Sequence, residues 1–109
     1  MKYKMIVLDL DGTLTNNKKE ITPRTKEALM KAQAKGVKIV LASGRPTYGI
    51  MPLAEELELK KNCGFILAFN GGKIIDCLDC RTIFEQKLDE TLVPLLYHVA
   101  KEAGMQILT

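Results

Sequence analysis

Two aspartates, Asp9 and Asp11, stand two residues apart at the end of an apolar stretch in the sequence MIVLDLDGTL, residues 5–14. Burying an unpaired charge is costly, so something must offset the charge of this pair. Residues two apart along a strand point to the same side, so both carboxylates can face one centre if the strand geometry persists. Neighbouring carboxylates repel, and one pKa should rise unless a cation intervenes. Oxygen ligands of this kind favour a hard divalent ion, and we expect Mg²⁺.

Two further turns also follow apolar stretches: Ser-Gly-Arg at residues 43–45 and Asn-Gly-Gly at residues 70–72. In open α/β sheets ligands bind beyond the carboxyl ends of the strands, so the three turns should meet in one crevice. Small turns such as Gly12 and Ser43-Gly44 allow backbone N–H groups to approach phosphate oxygens. A carboxylate nucleophile, a metal ion and such donors together are typical of phosphoryl transfer.

Each turn taken alone has a simpler interpretation. Asp-x-Asp-Gly after a strand is often only a turn, and Ser-Gly-Arg-Pro is more often a loop before a helix. A calcium loop is a second alternative, because Asp9, Asp11 and Glu20 would occupy its first, third and twelfth positions. Its sixth position would then be Leu14, where an EF-hand needs glycine. The order of three turns, each after an apolar strand, is what favours phosphate chemistry.

Three nearly all-apolar stretches, residues 3–9, 37–42 and 64–69, predict strands that are buried on both faces. Between the first two, Thr22 is the expected N-cap and Pro23 the first residue of a helix that Gly36 ends. A second helix should open at Pro46 and kink or restart at Pro52. This βαβαβ pattern predicts an α/β fold with a parallel sheet.

The remainder of the chain changes character. The stretches KIID and RTIFEQ, joined by CLDC, predict a β-hairpin. Asp89 should cap a helix that runs to about Ala103. Its predicted inner face carries Leu92, Leu95, Leu96 and Val99. MQILT, residues 105–109, then predicts the start of another strand. An unmatched terminal strand is a poor end for a domain, so we expect the sequence to be the N-terminal portion of something longer.

The composition sets limits on the function. The 109 residues carry a net charge of +3 with both signs interspersed, which makes nucleic-acid binding improbable. No apolar stretch is long enough to span a membrane, and no signal peptide is visible. Three cysteines without framework spacing fit a reducing compartment, so we expect a cytoplasmic protein.

Cys77 and Cys80 could hint at zinc, but four ligands are needed, and we expect them to lie incidentally at the hairpin turn. We assign no catalytic role to His98.

The motifs LDLDGTL, LASGRP and FNGG, in this order, resemble those of the haloacid dehalogenase superfamily of phosphohydrolases, specifically its Cof-type branch. The resemblance covers almost the whole chain. It implies a Rossmann-like core with flanking helices over residues 1–80 and the beginning of an α+β cap over residues 81–109. It also implies a Mg²⁺-dependent phosphatase acting on a small phosphorylated metabolite such as a sugar phosphate. A phosphomutase and a noncatalytic phosphate- or metal-binding fragment stay open as alternatives.

The resemblance also implies roles for individual residues. Asp9 would attack phosphorus to form an aspartyl-phosphate, and Asp11 would protonate the leaving oxygen and later activate water. Mg²⁺ would be held by the Asp9 carboxylate and the main-chain carbonyl of Asp11. Phosphate would be bound at Leu10, Ser43 and Gly44. The lysine and the second acidic motif of the family are missing from these 109 residues, so the chain alone should be a poor enzyme.

Overall fold

A computed structural model describes residues 2–106 of the chain. The strands are β1 (Met5–Asp9), β2 (Lys38–Ala42), β3 (Phe65–Ala68), β4 (Lys73–Asp76) and β5 (Arg81–Glu85). The helices are α1 (Pro23–Ala34), α2 (Thr47–Glu56) and α3 (Val93–Glu102). A tight turn at Phe69–Gly71 follows β3, and a single turn of 3₁₀ helix at Glu90–Leu92 precedes α3.

The five strands form one sheet in the order β1-β2-β3-β4-β5. β1, β2 and β3 are parallel, with Asp9 opposite Ala42 and Ala42 opposite Leu67. β4 runs antiparallel to β3, and β5 antiparallel to β4. The predicted βαβαβ unit and hairpin are therefore confirmed, and the sheet is mixed because the hairpin joins its edge.

Local sequence signals set the helix ends. The Thr22 hydroxyl accepts a hydrogen bond from the Thr25 N–H at 3.3 Å, and Pro23 opens α1 as predicted. Gly36 follows α1 with φ +89°, the left-handed backbone that glycine adopts readily. Of the kink or restart predicted at Pro52, the restart is wrong, because α2 continues through this residue, and the kink stays a prediction. Ile50 and Ala54, on either side of Pro52, are both buried and hold the helix against the sheet.

The core lies on one face of the sheet. Alternating residues of the parallel strands pack there against both crossover helices, in a cluster that includes Leu29, Ile39, Leu41, Ile50, Ala54 and Ile66. The prediction that both faces of every strand are covered is wrong for β1, where Met5 is 50% and Val7 57% exposed. The reason is the topology: β1 lies at the edge of the sheet, and both helices pack on the opposite face from Met5 and Val7.

The second half of the chain departs further from the predicted burial. The helix after Asp89 is confirmed as α3, but Asp89 does not cap it directly. The Asp89 carboxylate accepts the Thr91 N–H at 2.9 Å and caps the 3₁₀ turn Glu90–Leu92, whereas the N-cap of α3 is Leu92. Its predicted inner face is exposed, however, because α3 contacts little of the described chain beyond the turn before it; the residues concerned are Leu92, Leu95, Leu96 and Val99. The predicted terminal strand falls mainly on residues 107–109, outside the described residues.

β5 is hydrogen-bonded to β4, so the sheet crosses the predicted domain boundary between residues 80 and 81. The division into a core portion and a cap portion stays a prediction. Over residues 2–106, no helix is both long enough and apolar enough to cross a membrane.

Candidate active site

Asp9 is the last residue of β1, and a tight turn follows it. The carbonyl of Leu10 accepts hydrogen bonds from the Thr13 N–H, the Thr15 N–H and the Thr15 hydroxyl at 3.0–3.1 Å. The Leu10 side chain is completely buried and anchors this turn in the core. Gly12 has φ +81°, a conformation that costs other residues free energy, so the turn depends on glycine at this point. The Asp9 side chain is left exposed at the strand end.

The strand geometry that would align the two aspartates does not persist. β1 ends at Asp9, and Asp11 lies in the turn, so the alternation of a strand does not set its direction. The Asp11 carboxylate instead binds Arg45, which donates from Nε to Oδ2 at 3.2 Å and from Nη2 to Oδ1. The third guanidinium nitrogen of Arg45, Nη1, donates to the Gly49 carbonyl at 3.0 Å and fixes the side chain on α2.

The guanidinium of Arg45 sets the electrostatics of this turn. Its hydrogen bonds lower the pKa of Asp11 below the ordinary value of 3.8, and the nearby charge of Lys19 acts in the same direction. The sequence predicts Mg²⁺ beside the aspartates, and that ion stays a prediction; the cationic group beside Asp11 in this structure is the Arg45 side chain. A carboxylate that accepts two guanidinium hydrogen bonds is ionised. In this arrangement Asp11 therefore carries no proton.

The second and third turns are bonded to each other. The Asn70 N–H donates to the Ser43 carbonyl, and the Phe69 N–H donates to the Arg45 carbonyl, both at 3.0 Å. A Cβ on Gly44 would stand 2.9 Å from Asn70 Oδ1, so the two turns also pack closely. Phe69 and Asn70 both have left-handed backbones, with φ +52° and +56°. The turn after β3 therefore buttresses the turn after β2.

Arg45 and Asn70 lie at this edge, and sequence analysis assigned neither of them a site role. Both belong to turns that the sequence singles out, and a basic residue inside a turn beside two carboxylates is the signal for Arg45. Asn in the sequence Asn-Gly-Gly is the signal for a left-handed turn at residue 70.

Ser43 and Gly44, two of the predicted phosphate-binding residues, offer different hydrogen-bonding groups to a phosphate. The Ser43 N–H is already donated to the Leu67 carbonyl at 3.0 Å, and the Ser43 hydroxyl accepts the Arg45 N–H at 3.0 Å. A phosphate at Ser43 would therefore meet its hydroxyl. Within residues 2–106, neither the Gly44 N–H nor the Asp11 carbonyl takes part in a backbone hydrogen bond. These two groups keep their hydrogen-bonding capacity for a ligand.

The same groups can be tested against a magnesium ion. The Asp9 carboxylate and the Asp11 carbonyl are oxygen donors of the kind that Mg²⁺ prefers. In the described part of the chain, no group of three or more acidic, cysteine or histidine side chains is arranged to hold a metal ion. The donor set therefore fits part of a magnesium site, and the remaining ligands would have to come from water, substrate or other protein groups.

The remaining chemically active side chains lie elsewhere. His98 is on α3, where its Nε2 lies 3.0 Å from Glu102 Oε1. Cys77 and Cys80 lie at the β4–β5 hairpin turn, as predicted.

Comparisons with known proteins give the same family as the motifs. The family model of the haloacid dehalogenase-like hydrolases matches residues 6–109. "Putative phosphatase YxeH" of Bacillus subtilis is 36% identical over 92% of this chain. From the same organism, "5-amino-6-(5-phospho-D-ribitylamino)uracil phosphatase YwtE" is 32% identical over 85% of this chain. A crystal structure of a haloacid dehalogenase-like hydrolase from Bacteroides thetaiotaomicron superposes with a TM-score of 0.89, at 53% identity over 94% of this chain.

The chain spans only part of each of these proteins. It covers 37% of YxeH, 32% of YwtE and 38% of the Bacteroides structure. The match to the family model nevertheless extends over almost all of the 109 residues. The chain belongs to the haloacid dehalogenase-like hydrolases.

Proposed function

We propose that this chain carries the nucleophile half of the active site of a Mg²⁺-dependent phosphatase acting on small phosphate monoesters such as sugar phosphates. The observation that supports it most is the position of Asp9 at the carboxyl end of β1. There the register of β1 with β2 puts the turn of residues 43–45 beside the turn of residues 10–12. The names of the relatives, both phosphatases, support the same reaction class.

Asp9 is the nucleophile in this proposal. Its carboxylate is exposed at the strand end, and no hydrogen bond or ion pair within residues 2–106 engages its side chain. An oxygen of Asp9 would attack phosphorus, and the ester oxygen would leave as the aspartyl-phosphate forms. Water would then attack this phosphate and regenerate Asp9.

The donors for the transferred phosphoryl group come from the second turn. The Gly44 N–H and the Ser43 hydroxyl lie beside the first turn and would stabilise the negative charge on the equatorial oxygens. Mg²⁺ held by the Asp9 carboxylate and the Asp11 carbonyl would neutralise charge on the phosphate and orient it.

Asp11 is the general acid and base in this proposal, and its hydrogen bonds with Arg45 control whether it can donate a proton. While both guanidinium hydrogen bonds are in place, Asp11 has no proton to donate to a leaving group. Arg45 must release Asp11 before the acid step, and the incoming phosphate is the natural competitor because it also binds guanidinium groups bidentately. For the acid step, Arg45 must therefore break its hydrogen bonds with Asp11 and bind the substrate phosphate instead.

The experiment is hydrolysis of p-nitrophenyl phosphate by the complete gene product that contains this chain, with and without Mg²⁺. Asp9→Asn should abolish turnover, and removing Mg²⁺ with a chelator should do the same. Asp79→Asn is the matched control, because it removes one carboxylate at the distant hairpin turn and should leave activity unchanged. Turnover that survives Asp9→Asn would refute the nucleophile assignment.

A further inference from the structure

A cavity lies at the end of the sheet opposite the three turns. Its volume is about 700 Å³, and its walls come from α2, from the residues that precede β3 and from the β4–β5 turn. Met51, Ala54 and Ile75 give it an apolar floor. Cys77 and Cys80 both line it, so the two side chains border the same space. Nothing in the phosphatase chemistry proposed above uses these residues.

The hairpin brings the two cysteines opposite each other. Asp76 pairs with Arg81 across β4 and β5, and residues 77–80 form the turn between these two strands. Cys77 and Cys80 are therefore the first and fourth residues of this turn. The first and fourth residues of a β-turn have Cα atoms less than about 7 Å apart. A disulfide needs a Cα separation of about 4.4–6.8 Å, so a turn of this length can bring the two cysteines close enough to be bridged.

The two thiols also differ in environment. Cys77 is 6% exposed and donates its N–H to the Gly64 carbonyl at 3.0 Å, whereas Cys80 is exposed. Burial, with the nearby Cys80 and Asp76 acting in the same direction, raises the pKa of Cys77 to about 11. Cys77 is therefore protonated at neutral pH and a poor first nucleophile, and an oxidant reaches Cys80 first.

We propose that Cys77 and Cys80 form a redox-active dithiol that a hydroperoxide oxidises to an intramolecular disulfide across the β4–β5 turn. The Cys80 thiolate attacks the peroxide, so that the O–O bond breaks, an S–O bond forms and water or an alcohol leaves. The Cys77 sulfur then attacks the Cys80 sulfenic acid. The S–O bond breaks, the S–S bond forms, and the departing hydroxide takes the Cys77 proton and leaves as water. In total, the two thiols lose two electrons, and these electrons reduce one peroxide molecule.

Cys63 provides the internal comparison. It immediately precedes Gly64, whose carbonyl accepts the Cys77 N–H, so it lies at the same end of the sheet. It is partly buried and does not line the cavity. The proposal predicts that Cys63 stays reduced while the hairpin pair is oxidised.

Tryptic mapping separates these thiols cleanly. Cleavage after Lys73 and Arg81 releases residues 74–81, which contain both hairpin cysteines, while residues 62–73 contain only Cys63. The reduced chain is treated with hydrogen peroxide, alkylated with iodoacetamide, digested and weighed by mass spectrometry. The peptide of residues 74–81 should escape alkylation and lose the mass of two hydrogen atoms. The peptide of residues 62–73 should carry one alkyl group.

Three variants make the result decisive. Cys63→Ser should oxidise like the parent chain, and both Cys80→Ser and Cys77→Ala should lose the disulfide in residues 74–81. Cys80 is exposed, so its substitution tests the site without disturbing the core. The proposal is overturned if residues 74–81 stay fully alkylated, or if the oxidised chain joins them to residues 62–73.

Discussion

Gly64 offers a stringent test of the packing between β2 and β3. A Cβ at residue 64 would lie 2.7 Å from the Ile39 carbonyl oxygen and 3.0 Å from Leu59 Cδ2. Carbon and carbonyl oxygen atoms normally approach no closer than about 3.3 Å, so the substitution Gly64→Ala is about 0.6 Å too close. The obstacle is backbone of a central strand, and Leu59 is itself completely buried, so neither neighbour can move cheaply.

The expected cost of Gly64→Ala follows from these contacts. Overpacking of a core typically costs about 1–3 kcal/mol. Loss of backbone freedom in the unfolded chain returns about 0.4–1 kcal/mol. The middles of these two ranges give a net loss of unfolding free energy of roughly 1.3 kcal/mol, measured by urea denaturation followed by circular dichroism. In a domain of this size each kcal/mol also lowers the Tm by about 4–8 °C.

Gly49→Ala is the matched control for this prediction. Gly49 lies inside α2, and its Cβ would meet only the Arg45 side chain at an ordinary 3.4 Å. Alanine in place of a helical glycine stabilises a protein by roughly 0.5–1 kcal/mol. The same substitution should thus have opposite signs at the two positions. A stabilising or neutral effect of Gly64→Ala would show that the close approach to Ile39 is not what sets the residue at position 64.

Three further predictions concern the cap of α1, the ion pair and α3. Thr22→Ala should lower the unfolding free energy by about 1 kcal/mol because the cap of α1 is lost, whereas Thr22→Ser, which keeps the hydroxyl, should not. Arg45 holds the Asp11 pKa below 3.8, so the stabilisation from this pair is complete above that unfolded-state value and is lost as the pH falls through the lower folded one. Arg45→Ala should flatten the acid limb of a plot of unfolding free energy against pH, whereas Arg24→Ala on the exposed face of α1 should leave it unchanged. The backbone amides of α3 should exchange with deuterium much faster than those of α1 in a hydrogen-exchange experiment, because α3 buries none of its side chains; equal protection of the two helices would contradict this.

Local sequence signals predict the helix ends and the turns that position the active site. Thr22-Pro23 and Gly36 mark the ends of α1, and the three turns fall where apolar strands stop. These features depend on a few neighbouring residues, and the structure reproduces them. The pairing of Arg45 with Asp11 is different, because the two residues are 34 positions apart. Their contact depends on the register of β1 with β2, and no local pattern encodes that register.

The burial predictions failed for a separate physical reason. An apolar pattern reports that a face is favourable to bury, but it does not identify the segment that covers it. Both crossover helices pack on the Ile39 and Leu41 face of the sheet, so Met5 and Val7 on β1 stay exposed although their residue types are those of a core strand. Leu95 and Leu96 on α3 are likewise exposed, to 57% and 40%, although the apolar pattern predicts them to be buried. Exposed patches of this kind normally mark interaction surfaces. The exposed apolar residues of β1 and α3 therefore lack packing partners within the described chain. The apolar residues around Leu10, in contrast, are buried and hold the aspartate turn in place.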